Sequence, residues 1–79
     1  MWKATRVGRR AARSRKSWNE VAEIYDLDGE AVRVLATVVL LGKGNIRQIV
    51  EEFDKENWSR EQVEEWIGQL EEEKLVEKA

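Results

Sequence analysis

The segment from Glu30 to Leu41 constrains the fold most, because Glu30, Arg33 and Thr37 are its only polar residues. A helix that is apolar on almost every side must be covered by other elements, so we expect this one at the centre of the core. The run is also rich in β-branched residues and could form a buried strand. Its length, the turn before it and Gly42 after it as a left-handed cap favour a helix.

The 79 residues are expected to form one domain, since a chain of this length builds a single hydrophobic core. There is no cysteine for a disulfide or a thiolate metal site, and no histidine for acid or base chemistry near neutral pH. Neither a phosphate-binding glycine loop nor a metal-ligand spacing occurs, and neighbouring glutamates on one helix are not an opposed catalytic pair. We therefore expect no enzymatic activity, no cofactor and no metal site.

Three helix starts carry a capping-box pattern, in which Ser or Asn is followed three residues later by Glu or Gln. They are Ser17 with Glu20, Asn45 with Gln48, and Ser59 with Gln62. The predicted helices are about 18–26, 30–41, 46–56 and 60–74. Trp58 is expected to pack on Val63 just ahead of the last helix.

The apolar spacing predicts which side of each helix is buried. The first helix carries Trp18, Val21, Ile24 and Tyr25, the third Ile46, Ile49, Val50 and Phe53, and the last Val63, Trp66, Ile67 and Leu70. Leu75 and Val76 then predict a short strand. We expect residues 17–79 to form a mostly α domain of three to four helices, of helix-turn-helix type, with a rudimentary C-terminal strand.

Charge is divided sharply along the chain. Residues 1–18 hold seven Lys or Arg and no acid, while the other 61 residues hold seven Lys or Arg and all sixteen acids, so the net charge of −2 conceals +7 and −9. Cationic segments of this kind bind polyanions, and we expect residues 1–16 to be a basic arm that is flexible when free and ordered when bound. The candidate binding residues are Lys3, Arg6, Arg9, Arg10, Arg13, Arg15 and Lys16, with Trp2 as a residue that could stack on a base.

If the arm is helical, its cations lie on one side, and the other side is lined by Ala4, Val7, Ala11 and Trp18. That apolar side is mostly alanine and offers little insertion energy, so nucleic acid is favoured over an anionic membrane as the partner. An organelle transit peptide is a weaker interpretation, because no processing site precedes the folded part.

The run from Asn45 to Phe53, a turn, the serine-capped segment Ser59 to Val63 and the closing run Leu70-Glu71-Glu72-Glu73-Lys74-Leu75-Val76 resemble the winged helix-turn-helix family. The likeness is to small, archaeal-like members and covers about residues 30–77. It implies a recognition helix that starts after Ser59 and contacts DNA from its first outward positions. Arg47 and Arg60 would then add phosphate contacts.

Two features depart from the family pattern. The chain ends at Ala79, where the β-hairpin wing would begin, so we expect the wing to be absent or truncated. The presumed recognition helix also carries Glu61, Glu64 and Glu65 near its start, which oppose docking on phosphates. These glutamates form either a solvated helix face or a protein-binding surface, and we expect the arm to supply most of the affinity.

Three functions remain open. The first is a small DNA-binding protein of transcription-regulator type, with duplex DNA as the favoured partner. The second is an RNA-binding or ribosome-associated protein whose arm threads into structured RNA. The third is an adaptor that binds another protein, or a second copy of itself, through the acidic helical body. We expect a soluble cytoplasmic protein, associated with the nucleoid or the ribosome.

Overall fold

A computed structural model describes all 79 residues of the chain. It contains five α-helices and three short strands, with one 3-10 turn. In chain order they are β1 Trp2–Ala4, α1 Arg6–Ala12, α2 Trp18–Ile24, α3 Gly29–Leu41, β2 Lys43–Gly44, α4 Ile46–Glu52, the 3-10 turn Asp54–Glu56, α5 Arg60–Glu72 and β3 Val76–Lys78. The prediction of a mostly helical domain is confirmed. No helix has the length and apolarity needed to cross a membrane.

The central helix α3 is the core element that its composition predicts. Val34, Leu35 and Val38 are completely buried, and all four other helices pack against α3. The alternative of a buried strand is wrong. Gly42 ends the helix with a φ of 77°, a backbone conformation that residues with a Cβ atom rarely adopt.

Two of the three predicted capping boxes form completely. Asn45 with Gln48 starts α4, and Ser59 with Gln62 starts α5, each with both reciprocal hydrogen bonds. At α2 the Ser17 hydroxyl accepts from the Glu20 N–H, but the Glu20 carboxylate accepts from that hydroxyl and not from the backbone. The helix starts are therefore all confirmed.

The ends of the helices differ from prediction. Helix α4 stops at Glu52, and the 3-10 turn replaces the predicted last turn up to residue 56. Helix α2 stops at Ile24, because Asp26 adopts a positive φ of 54°. The Leu27 N–H then bonds the Ala22 carbonyl at 2.7 Å, which closes the helix end with a Schellman-type bond.

The positions of the aromatic side chains agree with the prediction only in part. Helix α5 buries Val63, Trp66, Ile67 and Leu70 as expected. The ring of Trp58 lies 4.6 Å from that of Trp66 and 4.4 Å from that of Phe53, centroid to centroid. Trp18 is not in the core and is 52% exposed, although it shares a side of α2 with the buried Val21 and Ala22. It is the first residue of the helix, and its ring centroid lies 5.7 Å from the Arg33 guanidinium carbon.

A three-stranded antiparallel sheet joins the two ends of the chain. Strand β1 is in the middle, with β2 on one side and β3 on the other, and Trp2 pairs with both Gly44 and Lys78. The C-terminal strand β3 was expected from Leu75 and Val76, whereas β1 and β2 were not. Both neighbouring strands depend on β1 for their pairing.

The prediction of a separate arm over residues 1–16 is therefore wrong. Strand β1 and helix α1 belong to the same folded unit as residues 17–79, with Ala4, Gly8 and Ala11 buried. The threonine at position 5 caps α1 through the Gly8 N–H, while its hydroxyl donates to the Lys74 carbonyl at 2.7 Å. The boundary at residue 17 was misplaced because the buried residues of this segment are small.

Candidate nucleic-acid interface

Helix α1 and the loop after it carry a dense group of exposed cations. We call it the α1 cationic surface. Its members are Arg6, Arg9, Arg10, Arg13, Arg15 and Lys16, which are all exposed. None of the six forms an ion pair within the chain, since the four ion pairs present involve other cations. This part of the predicted site is brought together by the fold.

The helix is held in place by its small-residue side. Gly8 and Ala11 face the core, and α1 packs on α3 and β1. On the outer side the Arg9 guanidinium donates to the Ala4 carbonyl at 3.1 Å, which ties that side chain to the start of the helix. Of the four residues predicted for the apolar side, Ala4 on β1 and Ala11 on α1 are buried, whereas the prediction is wrong for Val7 and Trp18, which are 46% and 52% exposed.

The cations of α1 repel one another. Arg6 is three and four residues before Arg9 and Arg10, and Arg13 is four and three residues after them. Each like-charged pair at these spacings destabilises a helix by about 0.2–0.5 kcal/mol. Three of these arginines lie near the negative C-terminal end of α1, and this favourable position offsets part of the repulsion. A bound polyanion would remove the repulsion.

Lys3 and Trp2 belong to the sheet and lie outside this surface. The Lys3 ammonium is 3.6 Å from the Glu77 carboxylate on β3. Trp2 is half-buried against the core, and the Lys78 ammonium lies 5.8 Å from the centroid of its ring. Trp2 therefore has a structural position, and its ability to stack on a base stays a prediction.

Arg47 and Arg60 are not brought to the α1 cationic surface either. They lie on α4 and α5, which pack on each other. Each is exposed and pairs with a glutamate four residues later: Arg47 Nε is 3.3 Å from Glu51, and Arg60 Nε is 2.9 Å from Glu64. Their charge is thus partly neutralised within their own helices.

A groove of about 260 Å³ lies between α1 and α2 and borders the cationic surface. Buried Ala11 and Val21 line its base, Ile24 and Tyr25 line one side, and exposed Arg10, Ser14 and Lys16 line its edge. No sequence pattern pointed to this groove, because Ile24 and Tyr25 were expected to face the core. Ile24 is in fact 55% exposed.

We compared the chain with protein-family models, with curated proteins and with solved structures, and none of the three comparisons gave a match. The resemblance to the winged helix-turn-helix family stays a prediction.

Proposed function

We propose that the protein is a non-catalytic nucleic-acid-binding protein whose main contact surface is the α1 cationic surface. The observation that carries this proposal is the set of six exposed cations, none of them in an ion pair, on a folded helix and the loop that follows it. Five of the six are arginines, whose planar guanidinium groups match the geometry of phosphate oxygens. Phosphate contacts of this kind release counterions and supply affinity without reading sequence.

Duplex DNA is the first candidate partner. The order of α4, a short turn, the serine-capped α5 and strand β3 is compatible with the helix-turn-helix arrangement that the sequence resemblance implies. In that arrangement α5 would face the DNA, but Glu61, Glu64 and Glu65 are exposed there and Arg60 is paired with Glu64. The proposal therefore assigns most of the affinity to α1.

RNA is the second candidate partner. A nucleic acid with unpaired bases would use the apolar groove beside the cations, which a fully paired duplex would leave empty.

The test is the salt dependence of binding. Six neutralised phosphates on duplex DNA predict a slope of log K against log salt of about −5. Replacing Arg13 and Arg15 by Gln should reduce the magnitude of that slope by about 2. Deletion of residues 1–16 is not a clean test, because it would remove β1 from the middle of the sheet.

The matched control replaces Arg47 and Arg60 by Gln, which changes the net charge by the same amount at the paired positions on α4 and α5. Its slope should equal that of the unmodified protein. Equal losses in both double variants would show that binding follows net charge and not the α1 cationic surface, and would contradict the proposal.

A further inference from the structure

The groove between α1 and α2 differs in charge from the two other cavities of the molecule. A cavity beside Trp2 and Ile46 includes Glu64 and Glu71 in its lining, and a third one beside Arg33 includes Glu51, Glu52, Asp54 and Glu56. The groove between α1 and α2 has no acidic residue in its lining, and Arg10 and Lys16 stand at its edge. It is therefore the one cavity of the three whose lining contains cations and no carboxylate, so it is the one best suited to an anionic ligand.

The interior of this groove is apolar, although it borders the most charged surface of the protein. Ala11 and Val21 in its lining are buried, and Ile24 and Tyr25 complete the apolar part of that lining. Phosphate contacts alone do not need such a lining. An exposed isoleucine next to a tyrosine is suited to a ligand that combines a flat apolar face with negative charge, as a nucleotide does.

The size of the groove sets the size of its ligand. Its volume of about 260 Å³ is below the range of about 300–1,000 Å³ that is usual for pockets of drug-sized ligands. A space of this volume suits a single ring system better than a larger ligand.

We infer that this groove binds one unpaired nucleobase of a nucleic-acid strand, with the adjoining phosphates on Arg10 and Lys16. This inference rests on the proposed function and makes it more specific. The base packs against Tyr25 and Ile24, and both Tyr25 and Ser14 in the lining carry a hydroxyl group, a type of group that can hydrogen-bond the edge of a base. A strand with unpaired bases is thereby preferred over phosphates presented without bases.

The test compares two single strands of about 12 nucleotides, which is within the range that one small domain occupies. One is oligothymidylate, and the other is an abasic strand with the same number of phosphates. The unmodified protein should bind oligothymidylate at least about 5-fold more tightly, since one stacked base contributes about that much or more. Oligouridylate in a third arm shows whether RNA is bound as well as DNA.

Two substitutions test whether the preference for oligothymidylate over the abasic strand arises in the groove. Tyr25→Leu keeps an apolar side chain at a half-buried position but removes the ring, and Ile24→Ser changes an exposed residue that the core does not need. Each should bring the ratio of the two affinities toward 1 while the dissociation constant for the abasic strand stays the same. Val7→Ser is the matched control. Like Ile24→Ser it removes an exposed apolar side chain, but Val7 lies on α1 and does not line the groove.

Equal affinities for both strands in the unmodified protein would overturn the inference, as would a ratio that survives in both groove variants. If the abasic strand still binds with a salt slope that depends on Arg13 and Arg15, the proposed function stands and only the nucleobase site is lost. If neither strand nor duplex DNA binds through those arginines, both fail together.

Discussion

Gly8 of α1 lies directly against the backbone carbonyl of Leu75, at the turn that leads into β3. A Cβ atom at position 8 would overlap that carbonyl group and would come within 3.3 Å of Leu35 Cδ1. Two more contacts secure the same junction: the Thr5 N–H donates to the Leu75 carbonyl at 2.9 Å, and the Thr5 hydroxyl donates to the Lys74 carbonyl. The N-terminal helix is thus fixed to the C-terminal turn by backbone contact.

Gly8→Ala should destabilise the protein by about 1–3 kcal/mol or more, because the obstacle is backbone and cannot move aside as a flexible side chain would. Gly68→Ala on α5 is the matched control. Its Cβ would meet nothing within 4 Å, so the same substitution there should stabilise the helix by about 0.5–1 kcal/mol. Urea unfolding measures both free energies. A Gly8→Ala protein as stable as the unmodified chain would show that α1 does not lie against Leu75.

A second prediction concerns Arg33, which α3 places among three aromatic rings. Its guanidinium carbon lies 5.0 Å from the ring centroid of Trp58, 5.6 Å from that of Phe53 and 5.7 Å from that of Trp18. It also bonds the Glu56 carboxylate at 2.9 Å. Arg33→Lys keeps the charge but loses the planar group, and we expect a loss of about 1 kcal/mol in the free energy of unfolding.

The control for this substitution is Arg47→Lys, at an ion pair whose arginine side chain is 88% exposed. Its effect should stay within about 0.5 kcal/mol, as is usual for surface pairs. If both substitutions have equal effects, the aromatic rings around Arg33 contribute nothing measurable to stability.

The sequence was most informative where a local pattern and a buried side coincide. The apolar segment 30–41 predicted α3, the Ser59 and Gln62 box predicted the start of α5, and the spacing of Val63, Trp66, Ile67 and Leu70 predicted its buried side. Each of these signals lies within one helix and does not depend on the rest of the chain.

The N-terminal part could not be predicted in the same way, because what it packs against is remote in sequence. Its buried residues are Ala4, Gly8 and Ala11, which carry weak hydrophobic signals, and its partners are α3, Leu75 and the strands on either side of β1. The dense positive charge favoured a flexible arm, but tertiary contacts override that local repulsion. The fold therefore carries six of the seven predicted cations on α1 and the loop after it, but as part of the folded unit and not as a separate arm.

A third prediction concerns the end of α5, where Lys74 adopts a positive φ of 59°. Its N–H bonds the Glu71 carbonyl at 3.0 Å, and the Leu75 N–H bonds the Leu70 carbonyl at 2.9 Å, which together form a Schellman motif. Glycine is the residue that best suits this position, so Lys74→Gly should raise the free energy of unfolding by about 0.5–1 kcal/mol.

The control is Glu73→Gly, one residue earlier, where φ is −85° and glycine brings no relief of strain. That variant should be destabilised, since glycine loses more backbone entropy on folding. Thermal unfolding of the two variants side by side distinguishes them by the sign of the shift. A lower melting temperature for Lys74→Gly would contradict the proposed helix end.

The last prediction separates stability from binding at Arg6, the first residue of α1. A glutamate there would face the positive N-terminal end of the helix and would lie four residues before Arg10, in the favourable orientation for an ion pair. Arg6→Glu should therefore stabilise the free protein by about 0.5–1 kcal/mol. It should also weaken binding to duplex DNA and flatten the salt slope, because one phosphate contact is replaced by a repulsion.

Arg6→Gln is the control that removes the charge without adding an acid. It should give a smaller gain in stability and a loss in slope of about 1. Denaturation without nucleic acid and titration with it measure the two effects independently on the same samples. An acid at Arg6 would give a more stable free protein than the arginine does. Such a cost in stability is expected where charges are kept for binding a ligand. If Arg6→Glu raises stability while binding stays unchanged, Arg6 does not contact the nucleic acid and the surface begins farther along α1.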